Sequence, residues 1–192
     1  MIKTKLLIFL LFTTFVYSQE YELGKVTIEE LKETKHPKDT SAVAAFIFSK
    51  GKTSLQYQQG KGFLLVTEVE NKIKIYKKEG YEWANEEISL YIGGNEKETV
   101  SFSKAITYNL KDGKIEKTKL GRDGEFEEKV NKFWTKGKIS MPNVKEGSII
   151  EYKYEIKSPY LNSFPVWEFQ TYIPVNYSEY TTQIPEYFIY SK

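Results

Sequence analysis

The chain has 192 residues, of which 28 are Lys or Arg, 26 are Asp or Glu and none is cysteine. The near-neutral balance argues against nucleic acid or an anionic membrane as the main partner. Without thiols there can be no disulfide, thiolate nucleophile, cysteine metal site or leader-cysteine lipid anchor, so stability must come from a packed core.

In chain order the first predicted element is an export leader. Lys3 and Lys5 precede an apolar run over residues 6–16, broken only by Thr13 and Thr14. Val16-Tyr17-Ser18 then offers small to medium residues to a signal peptidase, ahead of Gln19. That order of charge, apolar stretch and small residue reads as a secretory signal peptide over residues 1–18. The run is about eleven residues long and a membrane span needs ~20, so a retained anchor is the weaker reading. The mature chain is expected to begin near Gln19, to be exported to the periplasm or the cell exterior, and to keep no stable membrane span.

Residues 19–59 are expected to form an N-terminal helix and the first strands. Thr27-Ile28-Glu29-Glu30 has the form of a capping box, in which Thr27 and Glu30 satisfy each other's backbone N–H. A short helix over residues 28–35 follows, stopped by Pro37. Residues 41–49 are apolar and read as a buried strand, with a second helix as the alternative because alanine is helix-prone.

Residues 60–192 are expected to form a β-sandwich domain that continues beyond Lys192. Phe63, Leu65, Thr67 and Val69 alternate with Leu64, Val66, Glu68 and Glu70, and Ile73, Ile75 and Lys77 continue a strand expected to end at Glu79-Gly80. Gly93-Gly94-Asn95 marks a turn, and Asp112-Gly113 marks a hairpin. Between them Val100, Phe102, Ala105, Ile106 and Tyr108 predict a strand that returns over residues 114–120. Arg122-Asp123-Gly124 predicts a further turn. Ile150, Tyr152, Tyr154 and Ile156 share one strand face, and Glu151, Lys153, Glu155 and Lys157 share the opposite, solvated face. Residues 167–173 and 177–184 predict two last strands. Strands joined by short polar turns, with one brief helix, give a mainly β fold: an antiparallel sandwich of two curved sheets.

Few residues offer chemistry. The single histidine, His36, reads as an exposed side chain at a helix end. The acid pairs Glu29-Glu30, Glu86-Glu87 and Glu127-Glu128 read as solvated surface, because neighbouring residues on a strand point to opposite faces. Residues 109–113 lack the spaced acids of a calcium loop, and Gly60-Lys61-Gly62 lacks the ending of a phosphate loop. No cofactor is expected. Asn176-Tyr177-Ser178 matches the N-glycosylation triplet. The candidate ligand surface is aromatic: Tyr160, Phe164, Trp167, Tyr172 and Tyr177, with Phe169 and Tyr180 nearby. Such rings stack on sugars or anchor peptides when exposed, and fill the core when they are not.

Three segments carry a family resemblance. They are Met141-Pro142-Asn143-Val144-Lys145-Glu146-Gly147-Ser148-Ile149-Ile150-Glu151-Tyr152, then Ala105-Ile106-Thr107-Tyr108-Asn109-Leu110-Lys111-Asp112-Gly113-Lys114, and Trp167-Glu168-Phe169-Gln170-Thr171-Tyr172-Ile173-Pro174-Val175. Together they resemble a domain of unknown function that precedes a transglutaminase-like domain in exported proteins of Bacteroidetes. The resemblance covers roughly residues 60–190. It implies an accessory β module whose partner is a downstream transglutaminase-like domain in the same polypeptide. The Cys, His and Asp set of that domain has no counterpart here, so its activity is not carried over. The expectation is therefore a non-catalytic scaffold or substrate-presenting module. The alternatives are a carbohydrate- or peptide-binding module and an enzyme that works with carboxylates alone. The last predicts two acids in one pocket, at least one with a raised pKa.

Overall fold

The computed structural model describes residues 21–188, so the expected leader lies outside the described residues. It shows a mainly β chain in two sheets with one short α-helix. The strands are β1 (Ala44–Gln58), β2 (Gly62–Ile75), β3 (Asn85–Gly93), β4 (Glu96–Lys97), β5 (Thr99–Lys111), β6 (Lys114–Lys119), β7 (Glu125–Lys129), β8 (Trp134–Ser140), β9 (Ile149–Ser158) and β10 (Ser178–Gln183). The larger sheet has the order β10-β1-β2-β9-β5-β6, and the smaller has the order β4-β3-β8-β7.

The main core lies between the sheets. Phe46, Ile73, Ile75, Ile150 and Tyr152 of the larger sheet meet Ile139 of the smaller one, together with Ala84 and Met141, which flank β3 and β8. At Gly137 the sheets come so close that an added Cβ would lie 2.2 Å from Val100 Cγ1. A bulge between Phe102 and Lys104 shifts the β5 register. The extra residue turns Phe102 and Ala105 to one face, although their spacing is odd.

The opposite face of the larger sheet is covered as well. Helix α1 (Ile28–Lys32) carries the expected capping box and sets Leu31 against Tyr108 and Ile149. It is shorter than expected. The chain turns extended at Glu33, well before Pro37. Because α1 and the segment before it cover this face, Lys72 and Lys74 of β2 are buried, while Glu68 and Glu70 on the same face stay half-buried. Lys72 Nζ donates to Lys25 O and to Glu30 Oε1, both at 2.7 Å. Lys74 Nζ donates to Leu31 O at 2.9 Å and Gly147 O at 2.6 Å, satisfying an orphan carbonyl at the helix end.

The segments behind the family resemblance touch one another. Ser148 Oγ donates to Asn109 Oδ1 at 2.6 Å, and Asn109 Nδ2 donates to Asn143 O at 2.9 Å. Asn143 and Gly147 both take positive φ, which shapes the turn into β9.

The structure corrects several expectations. The β2 strand ends at Ile75, and a 3-10 turn (Lys78–Ala84) follows where more strand was expected. Strands β3, β7 and β8 were not anticipated: β7 and β8 carry few apolar residues, and the alternation of Ile88, Leu90 and Ile92 in β3 follows a run of charges. Residues 167–173 are irregular, with Ile173 alone reaching the core. Strand β10 runs parallel to β1, the exception in an otherwise antiparallel arrangement.

Candidate functional site

The 3-10 turn and the start of β3 shape one side of an open groove of 510 Å³ between the sheets. Ile88 and Leu90 are buried on β3, and residues two apart on a strand share a face, so Glu86 also points inward. Its direct partner on β8 is the core residue Ile139. Glu87 points out, where Lys136 and Lys138 hold its carboxyl down to about 2.

Inside the groove, Tyr152 Oη donates to Glu86 Oε2 at 2.5 Å and accepts from Asn71 Nδ2 at 3.1 Å. This chain ties β3 of one sheet to β9 and β2 of the other. Burial pushes the Glu86 carboxyl up, partly offset by the Tyr152 hydrogen bond. Burial and the nearby Glu86 charge push the Tyr152 hydroxyl well up. Asn71 Oδ1 is buried without a partner.

Three rings flank the acids. Phe46 and Trp83 meet edge-on at 5.9 Å, and Tyr172 stands fully exposed at the mouth beside Glu82. Aromatic faces next to carboxylates attract cationic groups and also stack on sugar rings. Glu86 and Trp83 were missed in the sequence. The Ile88/Leu90 alternation was the available signal for Glu86, and it was masked by the adjacent Glu87.

The other expected aromatic residues do not join this groove. Tyr160 packs edge-on against Tyr91 and donates to Gly93 O and Glu96 O at the β3–β4 turn. Trp167 stacks on Tyr180 at 5.1 Å and donates through Nε1 to Ser178 Oγ. Tyr177 stacks on Tyr21 at 4.1 Å. Phe164 is half-buried, and Phe169 is exposed. Of the seven rings, only Tyr172 lines the groove.

Further side chains depart from expectation. His36 is buried, not exposed. Its Nδ1 accepts from Asp39 N–H at 3.0 Å, so its Nε2 donates to Asn176 Oδ1 at 2.8 Å. Asn176 of the glycosylation triplet is thus engaged in holding the segment before β10. Glu30 pairs with buried Lys72 and Glu86 lies in the groove, so neither is plain surface. Glu127 and Glu128 are exposed, as expected. Glu151 is buried because α1 and the segment before it cover its face. No group of three or more Asp, Glu or His side chains that could hold a metal occurs among the described residues.

No family model and no curated protein matches the chain. Two solved structures show distant likeness. A protein of Parabacteroides distasonis described as a "putative protease" matches at 13% identity and a TM-score of 0.48, covering 60% of this chain and 23% of that one. Yeast LTA4 hydrolase in complex with bestatin matches at 12% identity and a TM-score of 0.28, covering 68% of this chain and 17% of that one. The chain therefore spans under a quarter of the length of either.

Proposed function

We propose that this chain is an exported, non-catalytic β module that presents a peptide to a transglutaminase-like domain in the same polypeptide. The groove at Glu86 is the presenting surface. The observation that carries this reading is the exposed Tyr172 ring, which lines one groove with Trp83 and two carboxylates, Glu82 and Glu86. A full-size ring kept in water has no packing role, and with Glu82 and Glu86 it selects lysine- or arginine-bearing segments.

Fluorescence titration with hexalysine and with a neutral chitooligosaccharide tests the reading. Hexalysine is expected to bind, and Tyr172→Ala is expected to weaken it several-fold without changing the melting temperature. In the full-length polypeptide, Tyr172→Ala is expected to raise KM for a lysine-bearing peptide and leave kcat unchanged. Binding of the oligosaccharide in place of hexalysine would establish the glycan reading instead. Cleavage or cross-linking of a peptide by this chain alone would remove the non-catalytic assignment.

A further inference from the structure

The turn from β7 into β8 runs through Val130-Asn131-Lys132-Phe133 and carries apolar side chains into solvent. Val130 and Phe133 are each 48% exposed, and Trp134, the first residue of β8, is 41% exposed. Three large apolar groups within one short turn form the kind of exposed patch that marks an interaction surface.

The turn is held by its own hydrogen bonds. Val130 N–H and Asn131 N–H both donate to Trp134 O, at 3.0 and 3.1 Å. Phe133 N–H donates to Asn131 Oδ1 at 2.8 Å, and Phe133 O accepts from Ile92 N–H of β3 at 2.8 Å. Trp134 meets Tyr91 edge-on at 5.2 Å, and Tyr91 meets Tyr160 at the same distance. The exposure of the apolar groups is therefore set by the fold.

The charge beside the patch is basic. Lys129 and Lys132 flank the turn, both are exposed, and neither makes an ion pair among the described residues. Lys132 Nζ lies over the Phe133 ring at 4.7 Å, so its ammonium sits at the margin of the apolar surface. Acids of the neighbouring strands are engaged elsewhere. Glu127 pairs with Lys97, Glu128 pairs with Lys138, and Glu98 accepts from Tyr91 N–H. Glu96 on the β3–β4 turn is an exposed acid and opposes the two lysines.

A lipid interface takes such a set together. Tryptophan and tyrosine settle at the headgroup level, where the ring is in apolar surroundings and its polar tip stays wet. Lysines above the rings meet anionic headgroups, each strengthening attachment about fivefold. The chain as a whole is near neutral, so the attraction is local to this turn.

We propose that the β7–β8 turn inserts Val130, Phe133 and Trp134 into the interface of an anionic lipid bilayer, with Lys129 and Lys132 on its headgroup phosphates. The contact is peripheral and uses no spanning segment. It is independent of the groove at Glu86, and each stands or falls alone.

Flotation with phosphatidylcholine vesicles, with and without phosphatidylglycerol, tests the proposal. Residues 19–192 are used, because they hold every described element and leave out the apolar leader. The chain is expected to float with the mixed vesicles and at least about fivefold less with pure phosphatidylcholine. Phe133→Ser is expected to weaken binding to the mixed vesicles about tenfold, the effect of half-burying one such ring. Lys132→Ala is expected to weaken it about fivefold and to leave binding to pure phosphatidylcholine unchanged. The mixed vesicles should shift tryptophan emission to the blue, and Trp134→Phe should remove that shift. Phe126, equally exposed on β7 but four residues before the turn, is the control: Phe126→Ser should change nothing. No flotation with the mixed vesicles, undiminished binding of Phe133→Ser, or an equal loss in Phe126→Ser would overturn the proposal. So would a change in sedimentation on Phe133→Ser without vesicle binding, which would make the turn a contact between copies.

Discussion

Lys74 sits under α1 with its ammonium on two backbone carbonyls and no direct ion pair, and burial pulls its pKa down to about 8. Glu33 and Glu30 oppose that shift from the helix side. The unfolded chain holds the same proton until about 10.5, so from pH 8 upward it binds more protons than the folded chain. Stability is therefore expected to rise across pH 8–10 through Lys74. The buried tyrosines set the upper limit. Tyr76, Tyr108 and Tyr152 all hold their protons above the ordinary value of 10.0, mainly through burial. Above pH 10 the unfolded chain loses tyrosine protons that the folded chain keeps, and stability is expected to fall. Urea midpoints from pH 7.5 to 11 should show this maximum, and Lys74→Met should flatten the rising limb. A rise of equal size in that variant would discount the lysine. The Lys74 environment was hidden in the sequence, since Lys72 and Lys74 alternate with Ile73 and Ile75 and nothing local to β2 covers them. Covering by α1 and the segment before it buries both lysines, and the same covering buries Glu151.

At the scale of elements, the strand periods were readable wherever apolar residues mark one face, as in β2, β5 and β9. The hairpin at Asp112-Gly113 was readable because both residues adopt positive φ, at 50° and 74°. The smaller sheet was not readable. Its strands carry lysine and glutamate on the outer face, where Lys136 and Lys138 grip Glu87, and only a few apolar side chains on the inner one. The last segment, too, is held by side chains rather than by strand pattern. Trp167 and Tyr180 stack over Gly51, where an added Cβ would lie 2.5 Å from the Trp167 ring and 2.7 Å from Tyr180. Gly51→Ala is expected to unseat that stack and loosen residues 167–183 while the sandwich remains folded. Limited proteolysis would then cut within this segment first, and Trp167 fluorescence would shift to the red. An unchanged cleavage pattern would show that the stack does not dock the segment.

Over the whole molecule, β10 covers the outer edge of β1 through six parallel pairs, from Ser49–Ser178 to Ser54–Gln183. Phe46 and Ser49 also donate backbone hydrogen bonds to Pro174 and Tyr177, and Ile173 enters the main core. A bare β1 edge is a template for pairing with other chains. Removal of residues 159–192 is expected to give a protein that aggregates or forms larger oligomers, measurable by light scattering. A monodisperse monomer would show that the edge is protected by other means.

The sequence by itself determined the β class, the capped helix and the turns at Asp112-Gly113 and Arg122-Asp123-Gly124, because those signals depend on neighbours within a few residues. It named Tyr172 among seven aromatic rings without distinguishing which of them reaches the groove. Only the tertiary structure decided which charged side chains leave water. Glu151, Lys72 and Lys74 lie on the polar side of alternating strands, and His36 lies in a polar segment. Each is buried by a segment distant in the chain, and burial of that kind follows from packing rather than from local preference.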